Sequence, residues 1–178
     1  MNILDAIKQQ ASAFVQLPNA VNQAEQAQTN SPPFMPASPY WKNAEAIRSY
    51  MKDYGSPYAN EIASGTLDMI EKYPIYQDMP YMIPAVSVNE TSAGQNMKGN
   101  RIVNWAIYEP SYNPSSIGQE IERMGSGVAE RMPYYSDFRK TRNMDDFAKV
   151  YAPVSDNNSP NYGKNVLGVM DRIRQYEK

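Results

Sequence analysis

The stretch "MIPAVSVNETSAGQ", residues 82–95, decides how the rest of the chain is read. It is apolar through Ile83, Ala85, Val86 and Val88, reaches a single carboxylate at Glu90, and then breaks into small and polar residues. The pattern predicts a short buried helix ending at Glu90, with Pro80 and Pro84 confined to its opening turns, where a missing N–H costs little. The negative end of a helix dipole and apolar neighbours both disfavour ionisation of a carboxyl group, so an elevated pKa is expected at Glu90. A carboxyl of that kind suits proton donation near neutral pH. A Glu near a helix end followed by Ser and Gly is also a common capping pattern, and spacing alone does not separate the two. The small residues Thr91, Ser92, Ala93 and Gly94 are expected to leave room for a polymer to approach.

Helical periodicity continues on both sides of this stretch. Ala44, Ile47, Met51 and Tyr54 form one stripe, with Gly55 as its expected C-cap. Ser56 and Pro57 then restart a helix whose stripe is Tyr58, Ile62, Met69, Ile70 and Tyr73, interrupted by Gly65. The Glu90 helix begins after "PIYQDMP", and residues 94–115 read as a long irregular loop. Ser116 with Gln119 has the spacing of a capping box for a helix carrying Ile117, Ile121, Met124 and Val128. Asn143, Asp145 and Asp146 open a short helix containing Met144, Phe147 and Tyr151. Pro160 opens the last helix, with Tyr162, Val166, Val169, Met170, Ile173 and Tyr176 on its stripe. No segment alternates as a strand does, so the expected class is mainly α.

Composition narrows the chemistry. The chain has 178 residues, enough for one domain with its own core plus extra segments. It has no Cys and no His, which excludes thiolate or imidazole zinc sites, thiol nucleophiles and Ser-His-Asp arrangements. Catalysis must then use carboxylates, Tyr, Lys or hydroxyls, and no metal or cofactor is expected. Lys and Arg number 17 against 19 Asp and Glu, a net charge of −2 that supplies no electrostatic reason to bind nucleic acid. No stretch approaches the ~20 apolar residues of a membrane span, so no transmembrane segment is expected. The N-terminus shows neither a basic leader nor a small-residue cleavage site. The 14 Tyr against 4 Phe give surfaces with apolar rings and polar tips, suited to sugar clefts and protein interfaces alike.

Residues 1–40 differ in character from the rest. "MNILDAIKQQASAFVQ" puts Ile3, Leu4, Ile7, Ala11, Phe14 and Val15 on one face of an amphipathic helix. The segment after it is rich in Gln, Asn, Ser and Pro and reads as a tether. Residues 1–16 are expected either to dock on a virion or other protein partner or to fold back on their own domain. The expected division is 1–40, helix and tether, and 41–178, main domain.

A resemblance runs from residue 80 to about 175. "PAVSVNETSAGQ" is similar to the catalytic helix of the lysozyme-like superfamily, in particular bacterial and phage glucosaminidases and lytic transglycosylases, whose pattern is an apolar helix followed by Glu-Ser-x-x-Gly. Thr91 stands where Ser is usual, and Gly94 matches the glycine. "NWAIYEP", residues 104–110, resembles the loop that lines the cleft in those families, with Ala106 where a glycine is usual, and "EPSYNPSS" is an insert outside the pattern. "SGVAERMPYYSDF" is similar to the helix that follows. "MDDFAKVYAPVSDNNSPNYGKNVLGVMDRI" resembles the closing segment, with its Tyr-x-Pro, Asn, Tyr and Val spacing.

The resemblance implies a lysozyme-like helical domain that cleaves the glycan strands of bacterial peptidoglycan. Glu90 would be the general acid. Tyr151 would lie near the scissile sugar, orienting Glu90 or stabilising positive charge, and Asn104, Trp105 and Tyr108 would bind substrate. For Trp105 and Tyr151, ordinary core packing is the competing expectation. A hydrolase needs a second carboxylate, for which Glu109 and Asp137 are the candidates. A lytic transglycosylase needs none, since the same Glu then accepts the proton of the muramoyl 6-hydroxyl. A phage protein, made in the host cytoplasm and carried in the virion to the cell envelope, is the expected setting. The alternative is a virion structural or adaptor protein that keeps the fold without the activity.

Overall fold

In the computed structural model, residues 38–104, 112–152 and 161–178 are described. The expected helix at 1–16, the tether to residue 37, and the segments 105–111 and 153–160 lie outside them. The described residues form eight α-helices and no strand, so the protein is mainly α.

Helix α1 (Trp41–Asp53) buries Ala44, Ile47 and Met51, as its stripe requires. It ends in a Schellman motif: Ser56 N–H donates to Met51 O at 2.9 Å and Gly55 N–H to Lys52 O at 2.9 Å, with Gly55 at φ +87°. Helix α2 (Ala59–Lys72) starts two residues after Pro57, and the Ser56 hydroxyl accepts the Tyr58 N–H at 3.1 Å just before it. Gly65 does not interrupt this helix. A Cβ there would stand 3.1 Å from Ile121 Cδ1, so the glycine lets α2 and a later helix approach closely.

"PIYQD", to which the sequence reading gave no element, is a helix. Helix α3 (Pro74–Asp78) opens with proline at its first position, buries Ile75 and Tyr76, and sends the Tyr76 hydroxyl to Gly125 O at 3.0 Å. Periodicity could not reveal an element of so few residues. Helix α4 (Met82–Thr91) carries Glu90 one residue before its end and buries Met82 through Ser87 without interruption. A helix apolar all round belongs at the centre of a helical domain, and α4 packs against α2 and the C-terminal helix. Each fully buried Ile, Met or Val contributes about 1.5–3 kcal/mol by leaving water.

Helix α5 (Ile117–Ser126) is capped by Ser116, whose hydroxyl accepts the Gln119 N–H at 3.1 Å; Gln119 reaches back to Ser115 N–H at 2.6 Å rather than to Ser116. A π-helical turn (Gly127–Arg131) and a 3-10 turn (Pro133–Tyr135) lead into α6 (Ser136–Thr141). Helix α7 (Met144–Tyr151) is capped by Asn143, whose side-chain oxygen accepts the Asp145 N–H at 2.8 Å. Helix α8 (Tyr162–Arg174) buries Val166, Val169, Met170 and Ile173 against α4, α7 and α1. Among the described residues no helix is long and apolar enough to cross a membrane.

Candidate active site

Helix α4 ends abruptly. Ser92, Ala93 and Gly94 have φ of +52°, +54° and +91°, a left-handed run that turns the chain back beneath Glu90. Ala93 N–H donates to Ser87 O at 3.0 Å, closing the helix. Glycine is required at 94 on two counts: its φ, and a Cβ that would lie 2.5 Å from Tyr58 Cδ2. Thr91, Ala93 and Gly94 are buried, and only Ser92 is half-exposed. The expectation that these small residues open a path for a polymer is therefore corrected. They are small because the turn packs inward on Tyr58 and Ile102.

The buried Thr91 hydroxyl ties this turn to the next one. It lies 2.8 Å from Ile102 O and 3.1 Å from Ser87 O, and it accepts the Gly94 N–H at 3.0 Å. Ile102 and Val103 are fully buried, and the chain passes from them into Asn104, itself left-handed at φ +48°. Asn tolerates that conformation better than most residues. Its amide reaches Glu90 Oε2 at 3.4 Å.

Glu90 is half-buried and is held at both oxygens. Tyr162, the first residue of α8, donates its hydroxyl to Oε1 at 2.6 Å, opposite the longer Asn104 contact at Oε2. Burial raises the Glu90 pKa above its ordinary value, and the hydrogen bonds from Tyr162 and Asn104 pull it partly back. Desolvation wins, as expected for a carboxyl facing apolar helices. Burial and the neighbouring Glu90 push the Tyr162 phenol up, so that it is a donor throughout the neutral range. The site can therefore present a carboxyl poised to give and retake a proton, with its orientation fixed by two donors.

Tyr151 stands beside Tyr162, and the Glu90 charge acts on its phenol. Its hydroxyl donates to Val103 O, and its ring stacks between Phe147 at 4.8 Å and Tyr162 at 5.7 Å. Tyr135 extends the ladder on Phe147 at 5.7 Å. Tyr151 thus supports the Asn104 turn from α7, and Tyr162, which the sequence placed on the core stripe of α8, takes the contact with the carboxylate. The signal was present: Tyr162 stands at the head of the helix in the closing segment, where a ring can be buried while its hydroxyl leaves the core. Asp137 is exposed on α6, where its charge acts on Lys149, and the groups acting on Glu90 are Tyr162 and Asn104 instead. Trp105, Tyr108 and Glu109 lie outside the described residues. A carboxylate that sequence reading passed over, Glu120 of α5, is fully buried and accepts the Val103 N–H at 3.0 Å.

An open groove of about 480 Å³ lined by Tyr73, Ile75, Glu130, Arg139 and Arg142 shares no residue with this constellation. Its cations are engaged: Arg142 pairs with Asp78 at 3.1 Å, and Arg139 donates to Val128 O and Met132 O at 2.9 Å. Comparison with protein-family models, curated proteins and solved structures gives no match.

Proposed function

We propose that the chain cleaves the glycan strands of bacterial peptidoglycan, with Glu90 as general acid, from a lysozyme-like domain carried by a phage virion. The observation that supports this most is the arrangement of Glu90: a half-buried carboxyl at the end of an apolar helix, its pKa raised by desolvation and its two oxygens held by Tyr162 and Asn104. The Gln-, Asn- and Pro-rich stretch before Trp41 supports a tethered protein and, with it, the virion setting.

In this reading Glu90 gives its proton to the glycosidic oxygen as the bond to the muramoyl C1 breaks. The charge left on Glu90 is met by the Tyr162 hydroxyl and the Asn104 amide, both already in place, so little reorganisation is needed. The muramoyl 6-hydroxyl then closes on C1 and its proton returns to Glu90, leaving a 1,6-anhydro end. Hydrolysis instead uses a second carboxylate, about 6.5–9.5 Å from the acid to activate a water with inversion, or about 5–5.5 Å from it as a nucleophile with retention. Among the described candidates, Glu120 is sealed from solvent and Asp137 acts on Lys149. The transglycosylase route needs only Glu90 and its two donors, and it is the one proposed here.

The test is digestion of purified peptidoglycan by the intact protein, with released muropeptides identified by mass spectrometry. Anhydromuramoyl ends are expected. Reducing ends would turn the assignment to a hydrolase. No products from a folded sample on several peptidoglycan types would favour the structural or adaptor reading.

A further inference from the structure

The Asn104 contact with Glu90 depends on a turn whose main chain is clamped from two sides. From α5, Glu120 Oε2 accepts the Val103 N–H at 3.0 Å; from α7, the Tyr151 hydroxyl donates to the Val103 carbonyl. Val103 is fully buried, and the next residue is the left-handed Asn104 that meets Glu90. A side chain on a left-handed residue points where its backbone sends it, so fixing the plane of Val103 fixes the Asn104 amide.

Glu120 is a costly residue to bury. A carboxylate at zero exposure gives up its hydration, and an apolar residue of similar volume on the buried face of α5 would pack beside Ile117, Ile121 and Met124 without that cost. Its neighbours Gln119 and Glu122 are exposed, so only this position of the acidic and amide run faces inward. A main-chain N–H without a partner would be the alternative cost at Val103. Geometry makes Glu120 the acceptor that the inverted turn needs, because a chain turning through Asn104 takes the Val103 amide out of any helix.

We propose that Glu120 is a positioning residue for Glu90: through the Val103 main chain it holds Asn104 against the carboxyl that moves the proton. It does not touch substrate; it acts through the Val103 main chain, and the shift at Glu90 has desolvation and the two hydrogen bonds as its causes. The titratable groups that act on Tyr151 at the clamp include Glu90, Glu120, Tyr162 and Tyr135, and burial keeps the three phenols protonated. The inference rests on the proposed role of Glu90 for its catalytic consequence, and on geometry alone for the coupling.

The experiment is a carbon-13 NMR titration of the Glu90 carboxyl in the full chain, run on wild type, Glu120→Gln, Glu120→Met, Asn104→Ala and Glu120→Met with Asn104→Ala. Glu120→Gln keeps an oxygen for the Val103 N–H and should leave the Glu90 midpoint in place. Glu120→Met removes the acceptor and should raise the midpoint, because Asn104 no longer favours the ionised form. Asn104→Ala should raise it equally, and the double variant should rise no further than either single one. On peptidoglycan, Glu120→Met should lose roughly tenfold or more in kcat with KM held, and Glu120→Gln should restore the rate. An unmoved midpoint in Glu120→Met, additive shifts in the double variant, or a midpoint moved by Glu120→Gln would overturn the proposal. Should Glu120→Met not fold, Glu120→Ala takes its place in the same comparison: a raised Glu90 midpoint is expected, and an unmoved one overturns the proposal. A wild type without activity on glycans would sink the functional reading and leave the titration able to judge the coupling.

Discussion

Thr91→Val probes the join between the Glu90 helix and the Asn104 turn without changing shape, because valine fills the same volume. Thr91 is 2 % exposed. Its hydroxyl donates toward Ile102 O at 2.8 Å, and losing that donor leaves the carbonyl of a fully buried residue short of this partner, at about 1–3 kcal/mol. Ser87 O keeps the Ala93 N–H at 3.0 Å, so little is lost there. Gly94 N–H keeps Thr91 O at 3.1 Å and loses only its shared bond, about 0.5 kcal/mol. The sum is about 1.5–3.5 kcal/mol, centred on about 2.5 kcal/mol. With a urea m-value of about 2 kcal/mol/M, the unfolding midpoint should fall by about 1.2 M. Thr91→Ser keeps both hydrogen bonds, deletes one methyl group, and should cost about 1 kcal/mol. Equilibrium urea unfolding followed by circular dichroism reads both variants. A Thr91→Val protein within 1 kcal/mol of wild type, or more stable than Thr91→Ser, would refute the reasoning.

Tyr162→Phe removes the 2.6 Å donor at Oε1, so the Glu90 titration midpoint should rise and kcat should fall, with near-wild-type melting because the ring still stacks on Tyr151. Gly94→Ala places a Cβ 2.5 Å from the Tyr58 ring at φ +91°, and urea unfolding should show a loss of about 2–4 kcal/mol. The folded chain binds the Glu90 proton more tightly than the unfolded chain does. Stability is therefore lost as pH rises from the ordinary carboxylate value of 4.5 through the raised folded value, and levels off above it. Glu90→Gln lacks that loss. It should be more stable than wild type at pH 7, with the difference closing below about pH 4, as measured by thermal melts across pH.

The elements that sequence reading placed correctly are those with a cap residue or an apolar stripe of two turns or more. The α1 stripe, its Gly55 stop, the Ser116 and Asn143 caps, and the last helix all follow from local pattern. Helix α3 escaped because five residues carry no periodicity, and its stability comes from the Tyr76 hydroxyl and from packing rather than from propensity. The candidate site was half legible. Glu90 stood out because a carboxylate ending an apolar run is locally anomalous. Asn104 is named by the cleft-loop resemblance, whereas Tyr162 and Glu120 are not, because they lie 72 and 30 residues away in a register that only tertiary packing fixes. Tyr151 and Tyr162 share a stack, and sequence does not say which hydroxyl reaches the carboxylate. The turn at Thr91–Gly94 shows the same limit: small residues read as open space, whereas here they mark close approach of the chain to Tyr58 and Ile102.

The most direct test of the central claim, that Glu90 is the proton donor, is the rate of muropeptide release from purified peptidoglycan by wild type and by Glu90→Gln at equal folded concentration. Gln keeps the shape and an oxygen for the Tyr162 hydroxyl but has no proton to give, so the rate should drop by about 10²–10⁴-fold. A Glu90→Gln protein that releases products at the wild-type rate would contradict the account.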